Sequence, residues 1–336
     1  MSAERRVPQP KHSVSRQGAS PDGRGEVRMV PESEMRSYYG RPVLKEPTWT
    51  WEIPAYFFTG GLAGASADLA LVARLSGNDA LASKALLGAL GGAAVSPILL
   101  ISDLGRPARF LNMLRVFKPT SPMSVGTWIL SSFGPAAGLA AVSDVLGIFP
   151  RLGRVAEGVA ALLGPGLATY TAVLLADTSV PVWHEGRREL PLVFAASSAA
   201  SAGAAAAILA PAENAGPARR LAVGGALLEI GASEVMKHRM GSFLAEPYKQ
   251  EAGRYDKLAT AFSGLGAAVV GLAGRRSRKA AIAGGAMVLA GAALERWSIY
   301  KAGFQSSRDP KYTVMPQRER LRERDGAERD GANGGS

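Results

Sequence analysis

The stretch from Asp103 to Ser124 combines the residue types most suited to binding chemistry. It holds an acid, four basic residues and three prolines between two apolar segments that are each long enough to cross a bilayer. A connection inside a membrane protein does not need this charge density, whereas a loop that meets a partner or a redox ligand does. Because guanidinium groups pair well with anions and carboxylates, we expect Arg106 and Arg109 to neutralise charge on a ligand, to fix a partner, or to pair with Asp103.

A second set of candidates consists of acids placed within or near apolar runs. Ionisable groups in a membrane are costly, so each is a functional candidate by default. A buried carboxyl can exchange protons near neutral pH, which predicts a proton path built from four of them: Asp68, Glu229, Asp144 and Glu157. The competing interpretation is that acids at segment ends are merely solvated, and it applies most to Glu52, Asp177 and Glu295.

Aromatic and titratable residues gather on the same side as the charged loop. A quinone head needs a flat apolar slot with proton-exchanging groups at its carbonyls. Tyr170, Asp177, His184 and Asp103 are expected to supply those groups. An interfacial aromatic belt is the alternative, and it accounts better for Trp49, Trp51 and Trp183 than for Tyr170.

The elements that must position these residues are apolar segments of about 20 residues, the length of a spanning helix. They are too long and continuous for barrel strands, so the sequence predicts an all-α integral membrane protein. Small residues four apart, as in Gly60/Gly64 and Gly88/Gly92, predict close helix packing. We expect about eight spans: 53–74, 83–102, 123–147, 155–176, 190–210, 217–237, 257–274 and 279–299.

Composition excludes several classes of function. The chain has no cysteine, so it carries no disulfide and no cysteine-ligated iron–sulfur cluster. Its three histidines are His12, His184 and His238, and no two lie mid-span to clamp a haem. The net charge of +11 flanks the apolar segments, which argues against nucleic-acid binding. Any quinone chemistry here is expected to be free of haem.

The polar ends of the chain predict domain organisation and orientation. We expect a disordered basic tail over 1–48, a transmembrane domain over 49–304 and a charged tail over 305–336. No signal peptide is expected, because the first apolar run starts near Ile53. Arginine-rich tails and an even helix count place both termini in the cytoplasm of a cell whose inner membrane holds the protein.

Four blocks of sequence carry a resemblance to a known family. They are TWTWEIPAYFFTGGLAG at 48–64, LLISDLGRPARFLNMLRVFKPTSPMSVGTWIL at 99–130, YTAVLLADTSVPVWHEGRRELPLVF at 170–194 and FQSSRDPKYTVMPQR at 304–318. With these blocks the chain resembles the NrfD/polysulfide-reductase membrane subunit family, in its short form of about eight helices.

The resemblance implies two four-helix bundles and a haem-free site for menaquinone or ubiquinone. It also implies two partners, a ferredoxin-like iron–sulfur subunit and a molybdopterin catalytic subunit such as a formate-dehydrogenase-like enzyme. The catalytic centre would then lie on partner chains. Carried onto this sequence, the quinone site is bordered by Glu52, Tyr56, Asp103, Arg106, Tyr170, Asp177 and His184, with Arg109 beside them.

Two other functions remain open at this point. Buried acids and glycine-interrupted helices also suit an ion-coupled secondary transporter, although no clear internal repeat supports it. The third possibility is a membrane anchor without quinone chemistry.

Overall fold

The computed structural model describes the backbone of residues 43–333 and the side chains of 43–320, 322 and 324. Throughout this range the regular structure is helical, and the described residues contain no strand. The predicted tail over 1–48 lies outside the described residues except for 43–48. The predicted tail over 305–336 is described as far as 333, where it is helical for most of its length.

The first half of the chain forms four long helices and one short one. The short helix α3 lies in the charged loop. The apolar pattern did not predict this helix. The bounds are α1 Glu52–Leu75, α2 Asp79–Asp103, α3 Arg109–Met113, α4 Pro122–Leu146 and α5 Pro150–Ala176.

The second half continues with four long helices, two short ones and a final polar helix. Single 3-10 turns lie at Gly186–Arg188 and Glu246–Lys249. The bounds are α6 Pro181–Glu185, α7 Leu190–Leu209, α8 Gly216–Arg239, α9 Gly241–Leu244, α10 Gly253–Leu272, α11 Arg278–Arg308 and α12 Lys311–Asn333.

Local signals in the sequence explain where several helices begin and end. The side chain of Asn78 caps α2 by accepting from the Leu81 amide at 3.2 Å, and Ser277 caps α11 at the Ala280 amide in the same way. Gly147 ends α4 with a φ of 68°, a left-handed conformation that glycine adopts without strain. These residues fix the short turns between antiparallel helices.

The helices pack in neighbouring pairs. Helix α1 packs against α2 and α5, and α4 packs against α5 and α2; α7 packs against α8 and α11, and α10 against α11 and α8. Helix α1 also contacts α7, which joins the two halves. A Cβ added at Gly64 would lie 2.4 Å from the Gly164 carbonyl oxygen, and one added at Gly92 would lie 2.6 Å from the Thr59 oxygen. The predicted close packing at these two glycines is confirmed.

Five helices are long and apolar enough to cross a membrane, namely α1, α2, α4, α5 and α7. The remaining predicted spans also coincide with long helices, α8, α10 and α11, but these are less apolar over their length, so their crossing stays a prediction. Helix α11 continues past the predicted end at 299 to Arg308, which puts Glu295 near the middle of the helix, where it is buried. The expectation that Glu295 lies at a solvated end was therefore wrong.

The connections between helices lie at two opposite ends of the helix array, here called the near face and the far face. The near face carries residues 43–51 and the connections 104–121, 177–189 and 240–252. The far face carries the turns 76–78, 147–149, 210–215 and 273–277. Hydrogen bonds stabilise each face. At the near face the Arg308 side chain donates to Glu46, and at the far face the side chains of Asn78 and Asn214 bond to each other.

Candidate functional site

At the near face, Thr50 brings together two of the predicted acids. Its amide donates to Asp103 Oδ1 at 3.1 Å, and its hydroxyl lies 2.8 Å from the same oxygen and against the Glu52 carboxylate. A hydroxyl has one proton, so it donates to only one of the two acids at a time. The arrangement links the start of α1 to the end of α2 and leaves two half-buried carboxyls on either side of the Thr50 hydroxyl.

Below this pair, Tyr56 and Tyr170 face each other between α1 and α5. Their ring centroids are 6.3 Å apart. The Tyr170 ring lies directly on Gly126 of α4, where a Cβ would overlap it. The Tyr56 side chain is fully buried, and its hydroxyl has no hydrogen-bond partner among the described residues. A buried hydroxyl without a partner is costly, so this one is suited to donating a hydrogen bond to a bound molecule.

The two arginines of the charged loop are exposed. Arg109 Nη1 donates to the Leu104 carbonyl oxygen at 3.5 Å, and neither Arg109 nor Arg106 pairs with Asp103 or another described acid. The suggested salt bridge to Asp103 was therefore wrong; Asp103 Oδ1 accepts from Thr50 instead. With no acid of the described residues paired to them, both guanidinium groups are available to a partner or a ligand from outside.

Asp177 and His184 lie away from the tyrosine pair. Both are exposed, and His184 Nδ1 lies 3.1 Å from the Ala176 carbonyl oxygen at the end of α5. His184 lines a cavity of about 210 Å³ between α6 and the start of α12, together with Tyr312 and Arg320. No contact within the described part of the chain joins either residue to Tyr170.

Trp183 does not belong to an interfacial belt, contrary to that interpretation of the sequence. It is fully buried, its indole N–H donates to the Ile299 carbonyl oxygen at 2.8 Å, and its ring packs on Gly303 of α11. The Trp49 ring stacks on it at 5.6 Å. Trp51 is exposed, as a belt residue would be.

At the far face, Asp144 and Glu157 belong to an ion cluster around Arg74. The guanidinium lies 2.8 Å from Asp144, 3.0 Å from Glu157 and 3.2 Å from Asp79. These four residues come from the ends of α1, α2, α4 and α5, and they line a cavity of about 330 Å³. We call them the Arg74 cluster. The two acids were expected to transfer protons, whereas Arg74, at the predicted end of the first span, was not among the predicted site residues.

Asp68 occupies the contact between α1 and α5 without a polar partner among the described residues. Its carboxylate fills the space left by Gly164, where a Cβ would lie 2.5 Å from Oδ1. It borders a largely apolar groove of about 500 Å³ that reaches Arg220 at the start of α8. Asp68 therefore does not join the Arg74 cluster.

Glu229 lies in the second half of the chain, in a buried cluster with two neighbours on α11. Glu229, Glu295 and Arg296 are each at most 3% exposed. The Arg296 guanidinium stands over the Phe194 ring at 3.7 Å, and Nη2 donates to the Phe194 carbonyl oxygen at 2.9 Å. We call these three residues the Arg296 cluster. The sequence analysis did not single out Arg296, although an arginine inside an apolar run is itself a signal of function.

The start of α12 is attached to the near face by polar contacts. Lys311 Nζ lies 2.9 Å from Glu246, and the Tyr312 hydroxyl donates to the same carboxylate at 3.0 Å. The hydrogen bond from Lys311 holds the pKa of Glu246 below its ordinary value. Burial, followed by the hydrogen bond to Glu246, raises the pKa of Tyr312 to about 12.

A known protein family accounts for most of the region that forms these helices. The family model described as polysulfide reductase matches residues 35–308. The chain belongs to the polysulfide reductase family. Membership and the five apolar helices together indicate a multi-pass membrane protein.

A curated member of the polysulfide reductase family shows how far the similarity extends. The C subunit of polysulfide reductase from Wolinella succinogenes is 29% identical over 178 residues, which cover 44% of this protein and 54% of that subunit. The protein thus spans about half the length of the curated relative it matches. The matched family range includes the tyrosine pair, the Thr50 contacts and the Arg296 cluster.

Proposed function

We propose that this chain is the quinone-interacting membrane subunit of an oxidoreductase complex, with its quinone site between α1, α4 and α5 below the near face. Family membership supports the class of protein. The observation that carries the site is the Tyr56 hydroxyl, which is buried beside Tyr170 and has no hydrogen-bond partner in the described ranges. In this proposal the eight long helices cross the membrane as two four-helix bundles, α1, α2, α4 and α5 forming one and α7, α8, α10 and α11 the other.

In this proposal each side chain has a role that follows from its position. Tyr56 donates a hydrogen bond to a quinone carbonyl, and Tyr170 fixes the opposite side of the ring. Glu52 and Asp103, bridged by Thr50, exchange protons between the site and water at the near face. A bound menaquinone or ubiquinone supplies the two-electron, two-proton redox chemistry.

The near face is the proposed docking surface for the redox partners. Arg106 and Arg109 are exposed there and unpaired with any described acid, so they can bind carboxylates of a ferredoxin-like iron–sulfur subunit. Asp177 and His184 flank the same surface. A molybdopterin subunit such as a formate-dehydrogenase-like enzyme would bind to that subunit. With both termini in the cytoplasm of the cell, the near face of the inner membrane protein would be cytoplasmic.

Binding of a short-chain menaquinone analogue to the purified full chain, measured by calorimetry in lipid nanodiscs, tests the site. A hydrogen bond contributes about 1 kcal/mol, so Tyr56→Phe is expected to weaken binding about fivefold. Tyr255→Phe on α10 is the matched control and is expected to bind the analogue as the unaltered protein does.

Other outcomes would point elsewhere. Equal binding by the Tyr56→Phe and Tyr255→Phe variants would place the quinone away from Tyr56. Electron transfer to quinone that survives loss of both Tyr56 and Tyr170 hydroxyls would favour an anchor without quinone chemistry. A chain that binds no analogue and copurifies with no redox protein would favour an ion-coupled transporter.

A further inference from the structure

The Arg296 cluster lies where the two halves of the molecule meet. Arg296 Nη2 lies 3.2 Å from the Ser198 hydroxyl of α7, and Gly61 of α1 packs against that hydroxyl. The Phe194 ring below the guanidinium is 5.9 Å from Phe57 of α1. The cluster is thus enclosed by α1, α7, α8 and α11.

The charges in this cluster do not balance if every group is ionised. Glu229 and Glu295 together carry two negative charges, and Arg296 carries one positive charge. Nη2 of Arg296 donates to the Phe194 carbonyl oxygen and the Ser198 hydroxyl. Its Nε and Nη1, and Oε2 of Glu229, have no hydrogen-bond partner among the described residues. An uncompensated buried charge costs several kcal/mol, so one of the two carboxyls retains a proton.

A polar stripe on α8 connects the cluster to the near face. Glu229, Ser233 and Lys237 are four residues apart and therefore share one side of the helix. The Ser233 hydroxyl donates to Glu295 at 2.9 Å. Lys237 Nζ lies 2.9 Å from Asp256 of α10 and 2.6 Å from Glu234.

This stripe ends in a cavity that water can enter. The cavity measures about 630 Å³ and is lined by Lys237, Asp256, His238 and Tyr248 among others. The other charged or titratable groups that act on the cluster are Lys237 of α8, Asp256 of α10 and Tyr248 of the 3-10 turn. Helix α7 contributes only hydroxyls, those of Ser197 and Ser198, because it contains no ionisable residue.

We propose that Glu229 and Glu295 together hold one exchangeable proton inside the second half of the molecule, and that this proton exchanges with the near face through Ser233 and the cavity at Lys237 and Asp256. The site goes beyond the proposed function, because it does not require a quinone to bind at Tyr56. It also separates Glu229 from Asp144 and Glu157, with which the sequence analysis had grouped it.

Infrared spectroscopy of the full chain in lipid nanodiscs, without added quinone, tests this site. At neutral pH the protein should show the carbonyl absorption of a protonated carboxyl, shifted on transfer to heavy water. Carbon-13 labelling of glutamate should move this band, and labelling of aspartate should leave it in place. A band that shifts only with labelled aspartate would overturn the proposal, and so would the absence of any such band. This test uses the unaltered protein and therefore does not depend on the folding of a variant.

Variants then assign the band to the cluster. Glu229→Gln and Glu295→Gln should each abolish it, because the remaining carboxylate is neutralised by Arg296. Glu157→Gln is the matched control: the same change at an equally buried acid, already paired with Arg74, should leave the band unchanged. Persistence of the band in both cluster variants would contradict the assignment.

The route of exchange has its own test. Asp256→Asn should slow the hydrogen–deuterium exchange of the band, whereas Asp144→Asn at the far face should not. Slower exchange in Asp144→Asn and unchanged exchange in Asp256→Asn would mean that the proton exchanges with the far face. That result would overturn the proposed route through Ser233 and the cavity at Lys237 and Asp256. Because no quinone is present, these results are independent of the calorimetry on Tyr56.

Discussion

The Arg74 and Arg296 clusters contain the same types of side chain, but they use the guanidinium group differently. Arg74 directs its nitrogens at three carboxylates and borders a cavity that water can enter. Arg296 donates to a backbone carbonyl and a serine, and within the described part of the chain two of its nitrogens and one oxygen of Glu229 have no partner. The first cluster ties helix ends together, whereas the second retains unsatisfied polar atoms that a mobile proton can use.

The difference shows that the position of an acid within an apolar segment does not reveal its role. Glu157 and Glu229 are both at most 3% exposed, and each lies in a long helix. What separates them is whether a cation saturates the carboxylate, and that depends on which helices meet. Changes at matched positions in the two clusters should therefore have unequal effects.

The largest expected effect is at the arginine of the enclosed cluster. Arg296→Met removes the buried cation that compensates the negative charge shared by Glu229 and Glu295, and leaving a buried charge uncompensated costs about 3–5 kcal/mol. The free energy of unfolding in mixed micelles should fall by about that amount. Arg74→Met should cost less, about 1–2 kcal/mol, since its carboxylates can be partly hydrated. Equal losses would mean that enclosure does not distinguish the clusters.

A smaller contrast is expected for the same substitution of the two buried glutamates. Glu157→Gln removes a charged partner of Arg74 and should lower the free energy of unfolding by about 1.5 kcal/mol. Glu229→Gln should leave it unchanged, because the pair of Glu229 and Glu295 already holds a proton. Thermal and chemical unfolding of both variants measure this difference. A loss at Glu229 as large as that at Glu157 would indicate that Glu229 is ionised and paired.

The smallest effect is expected at an exposed ion pair, the attachment of α12 to the near face. The pKa of Glu246 is lowered by Lys311, so its contribution is present above the ordinary value of 4.5 and is lost as the pH falls through the lowered value. Relative to the intrinsic exchange rate at each pH, the protection of residues 311–320 from hydrogen exchange should fall only below pH 4.5. In Glu246→Gln this protection should already be lower at neutral pH and should not fall further in acid.

Much of the fold follows from the sequence because helix length is set by the thickness of a bilayer. Each predicted span coincides with a long helix, and the glycines at 64 and 92 allow the close contacts that their spacing suggested. The short helices α3 and α6 were not predicted, since five residues in a charged loop carry too little periodicity to be recognised. The end of α11 was also missed, because its last turns are polar and packed against Trp183.

The candidate site was predicted only in part. Sequence order placed Glu52, Tyr56, Asp103 and Tyr170 near one end of their helices. The structure packs Tyr56 against Tyr170 and links Glu52 to Asp103 through Thr50. The sequence did not show that Asp103 would accept from Thr50 while Arg106 stays exposed. Pairings between residues far apart in the chain depend on how the helices are rotated about their axes, and the apolar pattern does not fix this rotation when nearly every face is apolar.

By itself, the sequence determined that this chain forms long apolar helices with basic connections, lacks cysteine chemistry and carries ionisable groups in its interior. These properties follow from composition and from the length of apolar runs. Only the tertiary structure decided which acids are neutralised by Arg74 and which lie beside Arg296. It also decided that the Tyr56 hydroxyl meets no partner among the residues that the structure describes. The reason is that saturation of a buried polar atom depends on the neighbours that packing supplies, and those neighbours come from helices distant in sequence.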